Sequence, residues 1–179
     1  GERGCQVSTT TNGIVVGDGM ADRLVTEGLR VVGFSLAGTD ASQDRIREGA
    51  PLDSVLGAIQ RLHDAKTRQG SSLPGIHVAY LWLRSQQEAV VQLPALLEGT
   101  GVSQIVVSTL DYVPQPGLEH EVIRASDADE EAFLRGIATA VVKEGKKRGI
   151  GIVFNLMGTH AAPGVCTENV TAAAVVSCR

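Results

Sequence analysis

Two residues whose chemistry suits ligand binding lie twelve positions apart in the sequence. Ser35 stands at the end of an apolar run, and Arg47 follows in the connection to the next helical pattern. A guanidinium can form two parallel hydrogen bonds with a carboxylate, and a hydroxyl can bond a sugar hydroxyl. Taken alone, the residues favour simpler interpretations: Ser35 bonds its own backbone, and Arg47 is a solvated cation near Asp44 or Asp53.

The three cysteines, Cys5, Cys166 and Cys178, are the next candidates. Their number is odd and their density is low, which excludes a secreted disulfide scaffold and favours a reducing cytoplasm. Cys5 lies in a strand pattern without a neighbouring cysteine, which indicates a small buried residue rather than a cluster ligand. Cys166 and Cys178 suit two free thiols or one disulfide, and their spacing is a poor metal signal. His77 lies inside a strand pattern, which favours a packing histidine.

Short apolar runs alternate with longer amphipathic stretches, several of which end in glycine. The runs predict strands and the stretches predict helices. The predicted strands are 5–10, 29–36, 76–83, 102–110 and 150–155, and the predicted helices are 17–27, 51–69, 86–98 and 126–148. Ser126 is predicted to cap the last helix. The loop 111–125 is long enough to cover the mouth of a barrel.

Apolar strands separated by helices imply a parallel sheet with right-handed crossovers, and hence an α/β fold. About five such strands fit an arc of a partial parallel (β/α) barrel or a doubly wound sheet, and periodicity alone does not separate the two. Because neither GxGxxG nor GxxxxGK[ST] occurs, we prefer the barrel arc, with helices on one face of the sheet. In both folds, ligands bind at the carboxyl ends of the strands.

The composition limits the classes of partner. The 179 residues suit one domain, and the net charge of -4 offers no basic surface, so we expect no nucleic-acid partner. No stretch approaches the roughly 18 unbroken apolar residues that a membrane helix needs, and we expect no membrane association. The chain does not begin with Met and its last residues read as a strand, so we expect both ends to be truncations.

Around the second predicted strand, the sequence resembles the fourth β/α unit of radical S-adenosylmethionine (SAM) enzymes. In that family a strand of the form iSldG precedes hd.iRg and a helix, and the corresponding segments here are VGFSLAG at 32–38, DRIREG at 44–49 and the helix 52–62. TTNG at 10–13 resembles the motif that closes the preceding strand. Residues 74–105 are similar to the next strand, helix and strand, so the resemblance covers nearly the whole chain.

The resemblance implies a binding site for SAM. Ser35 corresponds to a side chain that hydrogen-bonds the ribose, and Arg47 corresponds to a cation that faces the carboxylate of the methionine moiety. Thr11 and Asn12, in the TNG motif, are further candidates for binding this cofactor. Ala37 departs from the family, which usually has Asp at this place.

The family's iron–sulfur motif is absent from this sequence. A CxxxCxxC motif would hold the [4Fe–4S] cluster and a Gly-Gly-Glu loop the methionine amine, and neither occurs here. We therefore expect the isolated chain to be inactive. The tail resembles the start of an auxiliary-cluster region of the SPASM or twitch type, in which Cys166 would bind a second [4Fe–4S] cluster and Cys178 is less suited. On this basis we divide the chain into a partial barrel, 1–157, and the start of that extension, 158–179.

The resemblance implies an enzyme. The parent protein would cleave SAM at a [4Fe–4S] cluster, with electrons from a reductant protein, and the resulting 5′-deoxyadenosyl radical would take a hydrogen atom from a substrate. The auxiliary region points to a peptide or protein as substrate, and a small molecule stays open. The alternative is a non-catalytic α/β module that binds a small ligand or a protein.

Overall fold

One parallel sheet organises the chain in the computed structural model, which describes residues 6–110 and 117–155. Its strands are β1 (Ser8–Thr11), β2 (Val31–Leu36), β3 (Gly75–Trp82), β4 (Val102–Thr109) and β5 (Gly151–Asn155). The order is β1-β2-β3-β4-β5, and every adjacent pair is parallel. The predicted sequential parallel sheet is thereby confirmed. Each crossover moves one strand in the same direction, as in a barrel wall and unlike the reversal of a doubly wound sheet.

The connections contain five α-helices and three short 3₁₀ turns in the described part of the chain. The helices are α1 (Asp18–Thr26), α2 (Ser42–Ile46), α3 (Leu52–Gln69), α4 (Leu93–Leu96) and α5 (Ala128–Lys147), and the 3₁₀ turns are Arg84–Gln86, Ala89–Gln92 and Glu119–Glu121. The short helix α2 was not predicted from the sequence. None of the helices described here is long and apolar enough to cross a bilayer.

Two details of the predicted helices were wrong. The continuous helix 86–98 is replaced by two 3₁₀ turns and the single turn α4, which has Pro94 at its start. Proline has no backbone N–H to extend a preceding helix, but it suits the first turn of a new one. The cap of α5 is Asp127, whose Oδ1 accepts a 2.8 Å hydrogen bond from the Glu130 N–H. The predicted cap, Ser126, instead donates its own N–H to Glu130 Oε2 at 2.7 Å.

The sheet has one face buried under helices and one face that is open. Alternate strand residues form the buried face, and its largest members are Phe34, Leu36, Ile76, Tyr80, Trp82 and Ile105. The helices α1 and α3 pack together over this side, and Ala58 of α3 lies near Phe34. The intervening residues form what we call the open face: Thr10, Gly33, Ser35, His77, Ala79, Gln104, Val106 and Ser108. Most of these are half-buried or exposed, as expected for the inner wall of an incomplete barrel.

Candidate functional site

Ser35 lies on the open face at the carboxyl edge of the sheet. It is the next-to-last residue of β2 and pairs with Ala79 of β3. Its side chain is half-buried, and within the described residues its hydroxyl forms no hydrogen bond. The simpler interpretation was that the Ser35 hydroxyl bonds its own backbone. No such hydrogen bond is present among the described residues. The hydroxyl is available to a ligand at this edge.

The segment from strand β2 to helix α3 is braced by one buried glutamine. We call residues 37–50 the 37–50 connection. Gln43 is fully buried, its Oε1 accepts a 2.7 Å hydrogen bond from the Ala37 N–H, and its Nε2 donates to the Ala50 carbonyl at 3.0 Å. This one side chain thus joins the two ends of the connection. Sequence reasoning missed it, because glutamine is usually exposed and no local pattern marks a buried one.

Arg47 follows α2 within this connection. Its N–H donates to the Gln43 carbonyl at 2.8 Å, and its carbonyl accepts from the Ala50 N–H at 2.9 Å. The side chain is half-buried and has no hydrogen bond or ion pair with any residue that the structure describes. Asp44, the expected neighbour, instead accepts a 2.9 Å hydrogen bond from the Leu52 N–H. A half-buried guanidinium without a protein partner is free to bind an anionic group.

Thr11 and Asn12 stabilise the turn after β1. Thr11 Oγ1 accepts from the Gly13 N–H at 3.1 Å, and Asn12 Oδ1 accepts from the Ile14 N–H at 3.2 Å. Gly13 has a φ of 82°, and a Cβ there would lie 3.2 Å from the Ala58 side chain. The motif thus has a structural purpose at the same sheet edge as Ser35. Its role in cofactor binding stays a prediction.

Three buried hydroxyls near the 37–50 connection have no hydrogen-bond partner among the described residues. They are Thr39 Oγ1, Ser42 Oγ and Tyr80 OH. Burial, with the nearby Asp40 carboxylate, raises the pKa of Tyr80 to about 12, so this phenol stays a neutral donor. Buried polar groups usually find partners, so this part of the connection can bond solvent or a ligand.

A second group of residues, four of them charged, lies at the end of β3. We call it the Arg84 cluster: Arg84, Ser85, Glu121, Val122, Arg124 and Glu130. Arg84 pairs with Glu130 at 2.6 Å and donates to the Val122 carbonyl at 3.2 Å and the Arg124 carbonyl at 2.7 Å. The Ser85 N–H donates to Glu121 Oε2 at 3.0 Å. Residues 117–126 are thereby held against the end of β3, beside a cavity of about 780 Å³. Residues 117–125 of the predicted loop 111–125 therefore contact this end of the sheet. Residues 111–116 lie outside the described residues.

The open face holds a smaller cavity of about 250 Å³ between β1 and β3. Thr10, Gly33 and His77 are neighbours in one row across the sheet, so the glycine leaves a gap between two polar side chains. His77, for which we expected a core or packing role, is half-buried on this face. Burial lowers its pKa, so the ring is neutral at pH 7 and can both donate and accept a hydrogen bond.

The metal-binding predictions are not tested by this structure. Cys5, Cys166 and Cys178 lie outside the described residues, as does the proposed extension 158–179. Within residues 6–110 and 117–155, no three His, Cys, Asp or Glu side chains form a group that could hold a metal ion. The cysteines of this sequence also lack the CxxxCxxC spacing, so the residues present do not fit the main [4Fe–4S] cluster.

The fold is similar to solved structures of larger enzymes. SuiB from Streptococcus suis matches with a TM-score of 0.61 and 14% identity, over 89% of this chain and 34% of SuiB. A radical SAM methyltransferase from Sphaerobacter thermophilus matches with a TM-score of 0.54 and 15% identity, over 83% of this chain and 40% of that one. The fold of this chain is therefore similar to part of SuiB and to part of a radical SAM methyltransferase.

The chain spans only part of those proteins, about a third of the length of SuiB and 40% of the methyltransferase. SuiB has also been solved bound to S-adenosylmethionine, where it matches with a TM-score of 0.58, and bound to the precursor peptide SuiA, with the same score. No family model and no curated protein matches the sequence.

Proposed function

We propose that this chain is the part of a radical SAM enzyme that binds the ribose and the carboxylate of SAM. The observation that carries the proposal is the half-buried guanidinium of Arg47, which has no partner among the described residues and lies in the connection that follows the strand end at Ser35. Ser35 adds a hydroxyl on the adjoining open face that forms no hydrogen bond within the described part of the chain. The radical SAM fold and the SAM-bound structure of SuiB support this assignment. Thr11 and Asn12 line the same edge and shape the neighbouring turn.

The residues of this chain would bind and orient the cofactor. Arg47 would form charge-assisted hydrogen bonds with the carboxylate of SAM, and Ser35 would bond a ribose hydroxyl. When bound at a reduced [4Fe–4S] cluster, SAM supplies a 5′-deoxyadenosyl radical. The ligands of that cluster do not occur in this sequence, so they would come from residues beyond it, and the reductant protein would act there.

A peptide or protein is the substrate class that we propose. SuiB, which shares the fold, binds the precursor peptide SuiA. The open face offers His77 and Thr10 as neutral hydrogen-bonding groups around the cavity at Gly33, which suits an uncharged polar substrate. Cys166 would belong to an auxiliary cluster, with Cys178 as the second cysteine of that region.

Equilibrium binding of SAM tests the proposal. The full-length protein is reconstituted anaerobically and kept without reductant, so that SAM is bound but not cleaved. Arg47→Ala should weaken binding by about 1.5–3 kcal/mol, Ser35→Ala by about 0.5–1.5 kcal/mol, and Arg47→Lys should recover only part of the loss. Arg45→Ala is the matched control, because Arg45 is an exposed arginine on the preceding helix. Unchanged affinity in Arg47→Ala would remove Arg47 from the site.

The second candidate is a non-catalytic α/β module that binds a small ligand or a protein. Two observations separate it from the enzyme. The enzyme requires a CxxxCxxC motif about 60 to 100 residues before Gly1 in the reading frame, a distance set by ordinary βαβ lengths. It also requires that the reconstituted full-length protein, given a reductant, releases 5′-deoxyadenosine. A motif-free reading frame without that product would favour the binding module.

A further inference from the structure

The proposed binding site gives no role to Gln43. It is a fully buried polar side chain, and both ends of its amide are hydrogen-bonded to backbone. The acceptor end holds the Ala37 N–H, two residues after Ser35, and the donor end holds the Ala50 carbonyl, three residues after Arg47. No other side chain among the described residues bonds both ends of the 37–50 connection.

The backbone around Gln43 leads directly to Arg47. The Gln43 carbonyl accepts the Arg47 N–H at 2.8 Å, so the amide that braces the connection and the residue that offers the guanidinium share one helical turn. Gly38 lies tightly against this turn, since a Cβ at Gly38 would be 2.4 Å from the backbone nitrogen of Gln43. Asp40 Oδ1 closes the turn by accepting from the Ser42 N–H at 2.8 Å. Gln43 therefore bonds the backbone of Arg47 directly and the backbone of Ala37, two residues after Ser35.

We propose that Gln43 is a positioning residue, which sets where Arg47 stands relative to Ser35 and so sets the affinity for the carboxylate end of SAM. This inference rests on the proposed function. Hydrogen bonds of the buried amide fix the connection, whereas apolar packing of Val55, Ala58 and Ile59 fixes the helix α3 that follows it. Loss of the amide should therefore displace the connection while the helix and the sheet stay in place.

The test compares SAM with a ligand that keeps its nucleoside but lacks the amino-acid moiety whose carboxylate Arg47 would contact. SAM carries the methionine carboxylate, whereas 5′-methylthioadenosine keeps the nucleoside and lacks the amino-acid moiety. Gln43→Met keeps the length of the side chain but removes both hydrogen bonds. In the reconstituted full-length protein without reductant, this variant should weaken SAM binding about tenfold and change methylthioadenosine binding by less than about twofold. Gln92→Met, at an exposed glutamine, is the matched control and should change neither.

A double-mutant cycle that combines Gln43→Met with Arg47→Ala tests whether Gln43 changes SAM affinity through Arg47. If Gln43 acts through Arg47, Gln43→Met should change SAM affinity by less than about twofold once Arg47 is alanine. Equal losses for the two ligands, or additive losses in the cycle, would show a general structural role and overturn the inference. If Arg47→Ala alone leaves SAM affinity unchanged, the proposed function fails instead. If Arg47→Ala weakens binding and Gln43→Met does not, only the positioning role fails.

A measurement on the unaltered protein covers the case in which Gln43→Met does not fold. Backbone amide exchange at Ala37 and Arg47 reports directly on the two hydrogen bonds next to Gln43. Exchange at both amides should slow when SAM is bound and stay the same when methylthioadenosine is bound. The same response to both ligands, or no response to SAM, would contradict the positioning role.

Discussion

Two arginines lie at the same edge of the sheet, and their surroundings differ. Arg84 has three partners within the protein: the carboxylate of Glu130 and the carbonyls of Val122 and Arg124. Arg47 offers the same guanidinium in a half-buried position without a partner among the described residues. The two guanidinium groups therefore have different roles. Arg84 holds a loop against the sheet, whereas Arg47 is available for a ligand.

Replacing each arginine by alanine should separate stability from binding most clearly. Arg84→Ala should lower the free energy of unfolding by about 2–3 kcal/mol, because it removes the donor to two carbonyls and one of the two hydrogen bonds that the Glu130 carboxylate accepts. Arg47→Ala should change it by less than about 0.5 kcal/mol. Urea denaturation measures both, with Arg124→Ala as the control, since the Arg124 side chain forms no hydrogen bond or ion pair with the residues that the structure describes. Equal destabilisation by Arg47→Ala and Arg84→Ala would contradict the distinction.

The 37–50 connection should be sensitive to added volume at Gly38. A Cβ at this position would lie 2.4 Å from both the Gln43 nitrogen and the Ser42 hydroxyl. Gly38→Ala should therefore lower the free energy of unfolding by about 1–3 kcal/mol, because the backbone must shift. Gly17→Ala is the control, since nothing lies within 4 Å of a Cβ there. Thermal unfolding at matched protein concentrations measures the difference, and a neutral Gly38→Ala would show that the connection adapts easily.

The Arg84 cluster should also make the stability of the protein depend on pH through Glu130. The Ser126 N–H and the Arg84 guanidinium lower the pKa of Glu130 to about 2. A carboxylate with a depressed pKa contributes stability above its unfolded value of about 4.3, and that contribution disappears as the pH falls towards about 2. The stability difference between the unaltered protein and Glu130→Gln should shrink across this window. A difference that stays constant from pH 5 to about pH 2 would argue against the ion pair.

The smallest effect is expected on the open face. A Cβ at Gly33 would lie 3.3 Å from Thr10 Oγ1, the end of a side chain that can rotate. Gly33→Ala should therefore change the free energy of unfolding by less than about 0.5 kcal/mol, and it should narrow the cavity beside His77. Urea denaturation gives the stability. A loss of more than about 1 kcal/mol would show that Gly33 is needed for packing rather than for an open cavity.

Much of the fold could be predicted because it depends on local patterns. Strand β3 is a nearly continuous apolar run in the sequence, which predicts a strand of a parallel sheet, and the structure buries Ile76, Val78 and Tyr80. The same reasoning located α3 within one residue, since proline precedes it and Gly70 ends it in a left-handed conformation. It failed for the helix 86–98, where Pro94 starts a new turn.

The candidate site was predictable only in part. The resemblance selected Ser35 and Arg47, which the structure describes at the end of β2 and in the following connection. It did not reveal Gln43, because burial of a glutamine depends on how the connection folds over the sheet. It also gave no sign of the Arg84 cluster, whose contacts join residues 36 to 46 positions apart.

The sequence by itself determined the order of the strands and helices and the parallel direction of the sheet. Apolar periodicity fixes which residues of a strand or helix are buried, and the helical crossovers fix the direction of the next strand. Only the tertiary structure decided which arginine is paired and which is free. In sequence, Arg47 and Arg84 both follow a strand and stand near acidic residues. Their partners depend on segments brought together by folding, because a hydrogen bond requires a distance near 3 Å that no local pattern specifies.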